Sequence, residues 1–268
     1  MESHSPAIFK RMQIKGDIYL GILLGLLFVG CNPSASTTTD PKAQAVVDSA
    51  IARSNLHLLA NTEASFDFRD RSYSYKMKEN QFEYTRLYID STGTETYDVL
   101  TNSGFTRYIN GEVQELVAER QNAYANSVNS VIYFAFLPYR LNDASVIKNY
   151  LDKVKVLDKE YHKIQVTFRQ EGGGEDFEDV FIYWFDSEDY SLDYFAYEYQ
   201  TNGGGIRFRE ATNPRNINSI QIQDYINYKP KPGVEFKLSE IDRYYQQGKL
   251  EKLSDIDLKN VNVKLNNN

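Results

Sequence analysis

The side chains best able to do chemistry are scattered along this chain. Its three histidines, His4, His57 and His162, fall in no HExxH pattern and at no paired spacing. A zinc site needs several such ligands to converge, and Cys31 is the only cysteine. No Gly-x-Ser-x-Gly elbow and no Ser-x-x-Lys at a helix start supplies an activated nucleophile. Asp and Glu total 37, so a pair of acids for glycoside hydrolysis is always at hand. That chemistry needs two carboxyls facing at a set distance, which sequence does not supply. Two Gly-rich stretches stand out, Glu171 to Asp179 (EGGGEDFED) and Asn202 to Gly205. Neither is followed by Lys-Ser/Thr or opens a helix, so neither is a phosphate loop. They read first as hairpin turns that need positive φ. The acidic one has a second reading, a calcium loop from Glu171, Glu175, Asp176, Glu178 and Asp179. No catalytic residue, metal ligand or cofactor is assigned.

The thiol of Cys31 is a different matter. Ile18 to Gly30 is uncharged, follows Lys10, Arg11 and Lys15, and gives way at once to the polar CNPSASTTTDPK. A short apolar run behind a basic segment is a secretory h-region, and it is shorter than the about 20 residues a spanning helix needs. Phe28-Val29-Gly30-Cys31 resembles the bacterial lipobox, in which a small residue precedes an invariant cysteine, although Phe28 stands where Leu is usual. The resemblance implies cleavage before Cys31, lipidation of that residue with palmitate-like chains, and a membrane anchor. More than one acyl chain makes such an anchor stable. The alternative is a structural or free cysteine. Starting at Met12 gives a leader of more typical proportions than starting at Met1. The net charge of -7 repels phosphate backbones, so no nucleic-acid partner is expected.

Aromatic rings are the other resource: 21 Tyr and 15 Phe against 1 Trp, a balance that favours strands. Tyr194, Phe195, Tyr197 and Tyr199 cluster in one segment; Tyr133, Phe134, Phe136 and Tyr139 crowd another. Such rings are mostly core, but they can also line an apolar cavity for an acyl chain or stack on sugars. The candidate ligand-binding residues are Tyr124, Val128, Val131, Ile132, Phe136 and Tyr194.

Elements must hold these residues in place. Asp40-Pro41 reads as N-cap and first position of a helix running to about Arg53, with Val46, Val47, Ala50 and Ile51 on one face. From Glu63 onward, apolar and polar residues alternate, as in SFDFR, KIQVTFR, IRFRE and IQIQ, the pattern of antiparallel strands with one wet face. In IRFRE this puts Ile206 and Phe208 inside and Arg207 and Arg209 outside. Val180 to Phe185 is apolar on both faces and reads as a central strand. Asp90 to Gly93, Asn110-Gly111 and Asp186 to Asp189 read as hairpin turns. A long helix is expected over Glu115 to Ala135, with Tyr124, Val128, Val131, Ile132 and Ala135 on one face and Pro138 after its end. Short helices are expected over Ala144 to Leu151 and around Ser239 to Gln247, the latter capped by Ser239 and Asp242. The expected fold is mainly β (α+β). It is a curved antiparallel half-barrel sheet of roughly eight to eleven strands, with an N-terminal helix and helices packed on its concave face. The expected division is a signal peptide (1–30), a flexible tether (31–41), the β-rich half-barrel domain (42–230) and a C-terminal helical tail (231–268).

VTFRQEGGGEDFEDVFIYW, LDYFAYEYQTNGGGIRFREATN and DYINYKP resemble an uncharacterised family of Bacteroidota lipoproteins, a domain of unknown function, over most of Ala45 to Pro230. That resemblance implies an envelope lipoprotein and transfers no activity. More distantly, the order of elements is similar to that of the periplasmic lipoprotein carrier and its outer-membrane receptor, half-barrels plugged by helices; fold alone does not settle function. Two functions follow as expectations. The first is a membrane-anchored, non-catalytic lipoprotein of the outer membrane, facing the periplasm, that binds a lipid, acyl chain or other apolar ligand. The second is an envelope hydrolase or glycan-binding lipoprotein using exposed Tyr and carboxylates.

Overall fold

The computed structural model describes residues 38–171, 178–200, 203–233 and 235–266. Cys31 and the leader, and the middle of the acidic Gly-rich loop with its calcium reading and Gly173, lie outside the described residues. Helix α1 (Pro41–Arg53) starts as its sequence dictates: Asp40 is extended, and its carboxylate accepts from the backbone N–H of Lys42 at 2.7 Å and of Ala43 at 3.3 Å. Ala43, Val46, Val47, Ala50 and Ile51 form its buried face.

Two seven-stranded antiparallel sheets make up most of the described chain. The first contains β1 (Thr62–Phe68), β2 (Arg71–Lys78), β3 (Gln81–Ile89), β4 (Glu95–Thr101), β5 (Gly104–Ile109), β6 (Glu112–Val113) and β14 (Lys259–Leu265). Its order is β14-β1-β2-β3-β4-β5-β6. The second contains β7 (Val146–Val156), β8 (Lys159–Phe168), β9 (Val180–Asp186), β10 (Leu192–Tyr199), β11 (Gly205–Ile217), β12 (Ile220–Pro230) and β13 (Leu250–Ile256), in the order β13-β12-β11-β10-β9-β8-β7. The two form an open, half-barrel-like fold. Helix α2 (Ala118–Ala135) falls between the sheets in sequence and packs on β3, β4 and β5 of the first and on β12 of the second, burying Val128 and Ile132. One apolar core joins the inner faces of both sheets to α1 and α2; Phe136, just past α2, packs edge-on against Phe66 and at 5.0 Å from Tyr75.

The second sheet is covered on its outer face too. Leu238, Ile241, Tyr244 and Tyr245, from the segment after β12, pack on Trp184, Tyr194, Phe208 and their neighbours. This explains why β9 is buried on both faces: Tyr183 and Phe185 point into the main core, Ile182 and Trp184 into this second layer.

Four expectations are corrected. The strands number fourteen among the described residues, more than the eight to eleven expected. Residues 146–156 are strand β7: Ala144 to Leu151 does not form a helix, because pairing with β8 over ten residue pairs overrides the weak local pattern. The C-terminal tail is only partly helical. It has a 3₁₀ turn at Leu238–Glu240 and the short α3 (Ile241–Gln246), then β13 and β14, one for each sheet. Asp242 does not cap that helix; it is buried and accepts from the Lys163 ammonium at 3.0 and 3.1 Å and from the Trp184 indole at 3.3 Å.

Candidate functional site

The site is built around α2. Its seat on the first sheet is polar and buried. Arg86 on β3, Asp98 on β4 and Arg107 on β5 stand opposite one another in the ladder. The Asp98 carboxylate, with no exposed surface, accepts from Arg86 Nε at 2.9 Å and Nη2 at 2.6 Å, and from Arg107 Nε at 2.7 Å and Nη2 at 3.0 Å. Burial alone would depress the pKa of Arg107, but the bonds to Asp98 outweigh it and the net direction is upward. Both arginines also hold the helix: Arg86 Nη1 donates to Ser127 Oγ at 2.7 Å, and the Arg107 guanidinium lies 3.5 Å from the centre of the Tyr124 ring.

Facing the second sheet, α2 leaves a cleft of about 270 Å³. Val131, Phe134 and Ala135 of the helix line it, with Phe68, Ile256 and Leu258. Arg69, Ser130, Tyr197, Arg209, Gln223, Tyr225 and Asn227 supply its polar groups. Two shallow grooves over β14, β1 and β2, beside Glu63, Lys76 and Lys264, are wider but open to solvent. The cleft under α2 is more enclosed and carries more apolar side chains, so it is the better site.

Arg209 dominates the cleft electrostatically. It lies on a cross-strand row that runs Tyr183, Phe195, Arg209, Asn227 over β9 to β12. Only 8% of its surface is exposed. Its guanidinium sits 4.4, 5.2 and 5.4 Å from the ring centres of Phe134, Phe195 and Tyr197, and Nη2 donates to the Tyr197 hydroxyl at 3.1 Å. Burial pushes its pKa down from the usual arginine value, though neighbouring tyrosines oppose this. Burial likewise pushes the Tyr225 phenol up to about 12; the Gln223 amide donates to it at 2.9 Å.

The candidate residues are only partly brought together. Val131 lines the cleft. Val128, Ile132 and Phe136 are buried behind it in the main core, where they fix α2. Tyr124 is partly buried on the first sheet, beneath Arg107. Tyr194 does not join them: β10 alternates, so Phe195 and Tyr197 face inward while Tyr194 stacks on Phe208 in the outer layer. Sequence reading missed Arg209, placing it on a wet face. The signal was IRFRE itself, once both faces of that strand are known to be covered. His162 is not a ligand here; it bonds Tyr150 at 3.0 Å and stacks on Tyr190. Among the described residues no group of three metal-binding side chains occurs, and no helix is long and apolar enough to cross a membrane.

The family model described as a family of unknown function (DUF6503) matches residues 42–258. No curated protein matches the chain. Among solved structures, a DUF1329 family protein from Desulfovibrio piger is similar at a TM-score of 0.50 and 12% identity, with 86% of this chain and 96% of that one covered. At that identity the likeness is one of fold. A LolA superfamily protein from Nitrosomonas europaea has a TM-score of 0.43 and 8% identity, over 83% of this chain and 91% of its own. A putative outer membrane lipoprotein-sorting protein domain from Vibrio parahaemolyticus has a TM-score of 0.36 and 7% identity, over 83% and 93%.

Proposed function

The chain belongs to the DUF6503 family of unknown function, and we propose that it is a non-catalytic, membrane-anchored lipoprotein that binds a lipid or other apolar ligand. The observation that carries this reading is the cleft between α2 and the second sheet. Phe68, Val131, Phe134, Ala135, Ile256 and Leu258 line it, together with the polar groups of Arg69, Ser130, Tyr197, Arg209, Gln223, Tyr225 and Asn227. Concave, mostly apolar sites with a small number of placed polar groups are how proteins hold small molecules. The anchor in this reading is Cys31, and the place is the cell envelope of a bacterium, at the outer membrane and facing the periplasm. The Bacteroidota source belongs to the same reading, on the strength of the sequence strings quoted above.

A hydrolase with paired carboxylates has no such pair in this cleft, since its lining contains no Asp or Glu. The test is native mass spectrometry of the protein purified from its host. A co-purifying species of lipid mass, lost when Val131 and Ala135 are both replaced by Trp to fill the cleft, is the expected result. A protein that is always empty, and that takes up no lipid from added vesicles, would remove the reading.

A further inference from the structure

The apolar residues of the cleft explain the tail of a ligand, but not the polar groups that line it as well. Most buried cations of this protein have a carboxylate. Arg86 and Arg107 share Asp98, and Lys163 has Asp242; the half-buried Arg215 likewise has Asp224. Lys148 has none, but its ammonium donates to the Leu141 carbonyl. Arg209 is different. No carboxylate among the described residues pairs with it, its Nε has no hydrogen-bond partner, and Nη2 has only a neutral phenol.

Aromatic faces compensate a guanidinium only in part. Burying a charge that lacks an opposite charge is costly, and such a group persists where something else completes it. Its cross-strand neighbour Asn227, which also lines the cleft, has a buried atom without a hydrogen-bond partner, Oδ1. Turning that amide over would let the Ser254 hydroxyl, 3.4 Å from the amide nitrogen's present position, donate to Oδ1, and would present Nδ2 as a further donor. The second charged residue of the lining is also an arginine, the exposed Arg69 at the rim. A positive, acid-free cleft in a chain of net charge -7 selects the charge of its occupant.

We propose that the cleft takes a single-chain amphiphile with an anionic head, a carboxylate or a phosphate, whose oxygens pair with the Arg209 guanidinium while its tail runs along Val131, Phe134 and Ile256. This rests on reading the cleft as an apolar-ligand site. The guanidinium offers a planar fork of donors suited to both oxyanions. The volume of about 270 Å³ sits at the small end of ligand sites, which suits one chain rather than several.

Calorimetric titration of the full chain carrying Cys31→Ser, which has no acyl group of its own, with decanoic acid, decyl phosphate, decanol and inorganic phosphate tests this. Decanoate or decyl phosphate should bind at least tenfold more tightly than decanol, and the tighter of the two identifies the head. Arg209→Met should erase that difference while leaving the melting temperature unchanged or higher, since it replaces a buried unpaired cation with an apolar chain. Equal binding of decanol and the two anions would overturn the anionic head and leave the apolar cleft standing. No binding of any decyl compound would overturn both. Inorganic phosphate binding as tightly as decyl phosphate would overturn the amphiphile. If Arg209→Met does not fold, the comparison of acid, phosphate and alcohol on the parent decides.

Discussion

Replacing Asp98 with Asn should both destabilise the domain and loosen α2. The side chains are nearly the same size, so no cavity forms. What changes is that a carboxylate accepting four hydrogen bonds at 2.6–3.0 Å becomes an amide with one acceptor oxygen and an NH₂ group that meets other donors. Arg86 and Arg107 are then two buried cations with no neutralising charge, at 3% and 9% side-chain exposure. Removing one partner from a buried ion pair costs about 3–5 kcal/mol. For a domain of this size each kcal/mol lowers the melting temperature by roughly 2–4 °C, so a fall of about 6–20 °C is expected. Because the same arginines hold Ser127 and Tyr124, part of the loss should appear as a helix that lifts from its seat. Circular dichroism melts give the first number, and binding of a hydrophobic dye in native buffer gives the second. A variant within about 1 kcal/mol of the parent, with unchanged dye binding, would refute the claim that this triad holds the cover in place.

Three further outcomes are expected. Ile132→Ala, at a residue with 1% exposure, should cost about 2–5 kcal/mol in urea unfolding, while Val131→Ala at the cleft wall should cost less; equal losses would place both in the same core. Gly204→Val should cost roughly 1–3 kcal/mol, because φ is +72° and the new Cβ would lie 3.1 Å from the Tyr199 carbonyl; an unchanged melt would show that the turn relaxes freely. Cys31→Ser should leave an uncleaved precursor without acyl chains, and normal maturation of that variant, read by mass spectrometry of the membrane fraction, would rule out lipidation there.

What could be read from the sequence divides along physical lines. Asp40-Pro41 and the apolar face of α1 are local signals, and the structure follows them. The long helix was visible too, though it begins at Ala118, after an N-cap, Val117, that makes no side-chain capping bond. The doubly apolar run 180–185 reported its own burial. Alternation, however, says that the two faces of a strand differ, and does not say which is dry. Where the segment after β12 folds back over the second sheet, the outward Ile206 and Phe208 become a second core, and Arg209 turns toward the cleft. That cover is a contact between residues far apart in sequence, which no local pattern encodes. The same holds for β13 and β14, whose short charged stretches become strands because sheet edges are there to receive them.

Those two last strands have a consequence for how the molecule is made. Only Asp257 and Leu258 separate β13 from β14, yet the chain crosses there from one sheet to the other, and β14 closes against β1 with Thr62 opposite Leu265. The first and last thirds of the domain are therefore ladder partners. A chain emerging N-terminus first can complete β1 through β6 early, but the edge of β1 stays unpaired until residues 259–265 arrive. Contacts of such long sequence separation slow folding, and an unpaired edge is where chains join wrongly. The chain therefore keeps an adhesive edge open at β1 until residues 259–265 have been made, so its yield should depend on holding factors that shield nascent strands more than on its final stability.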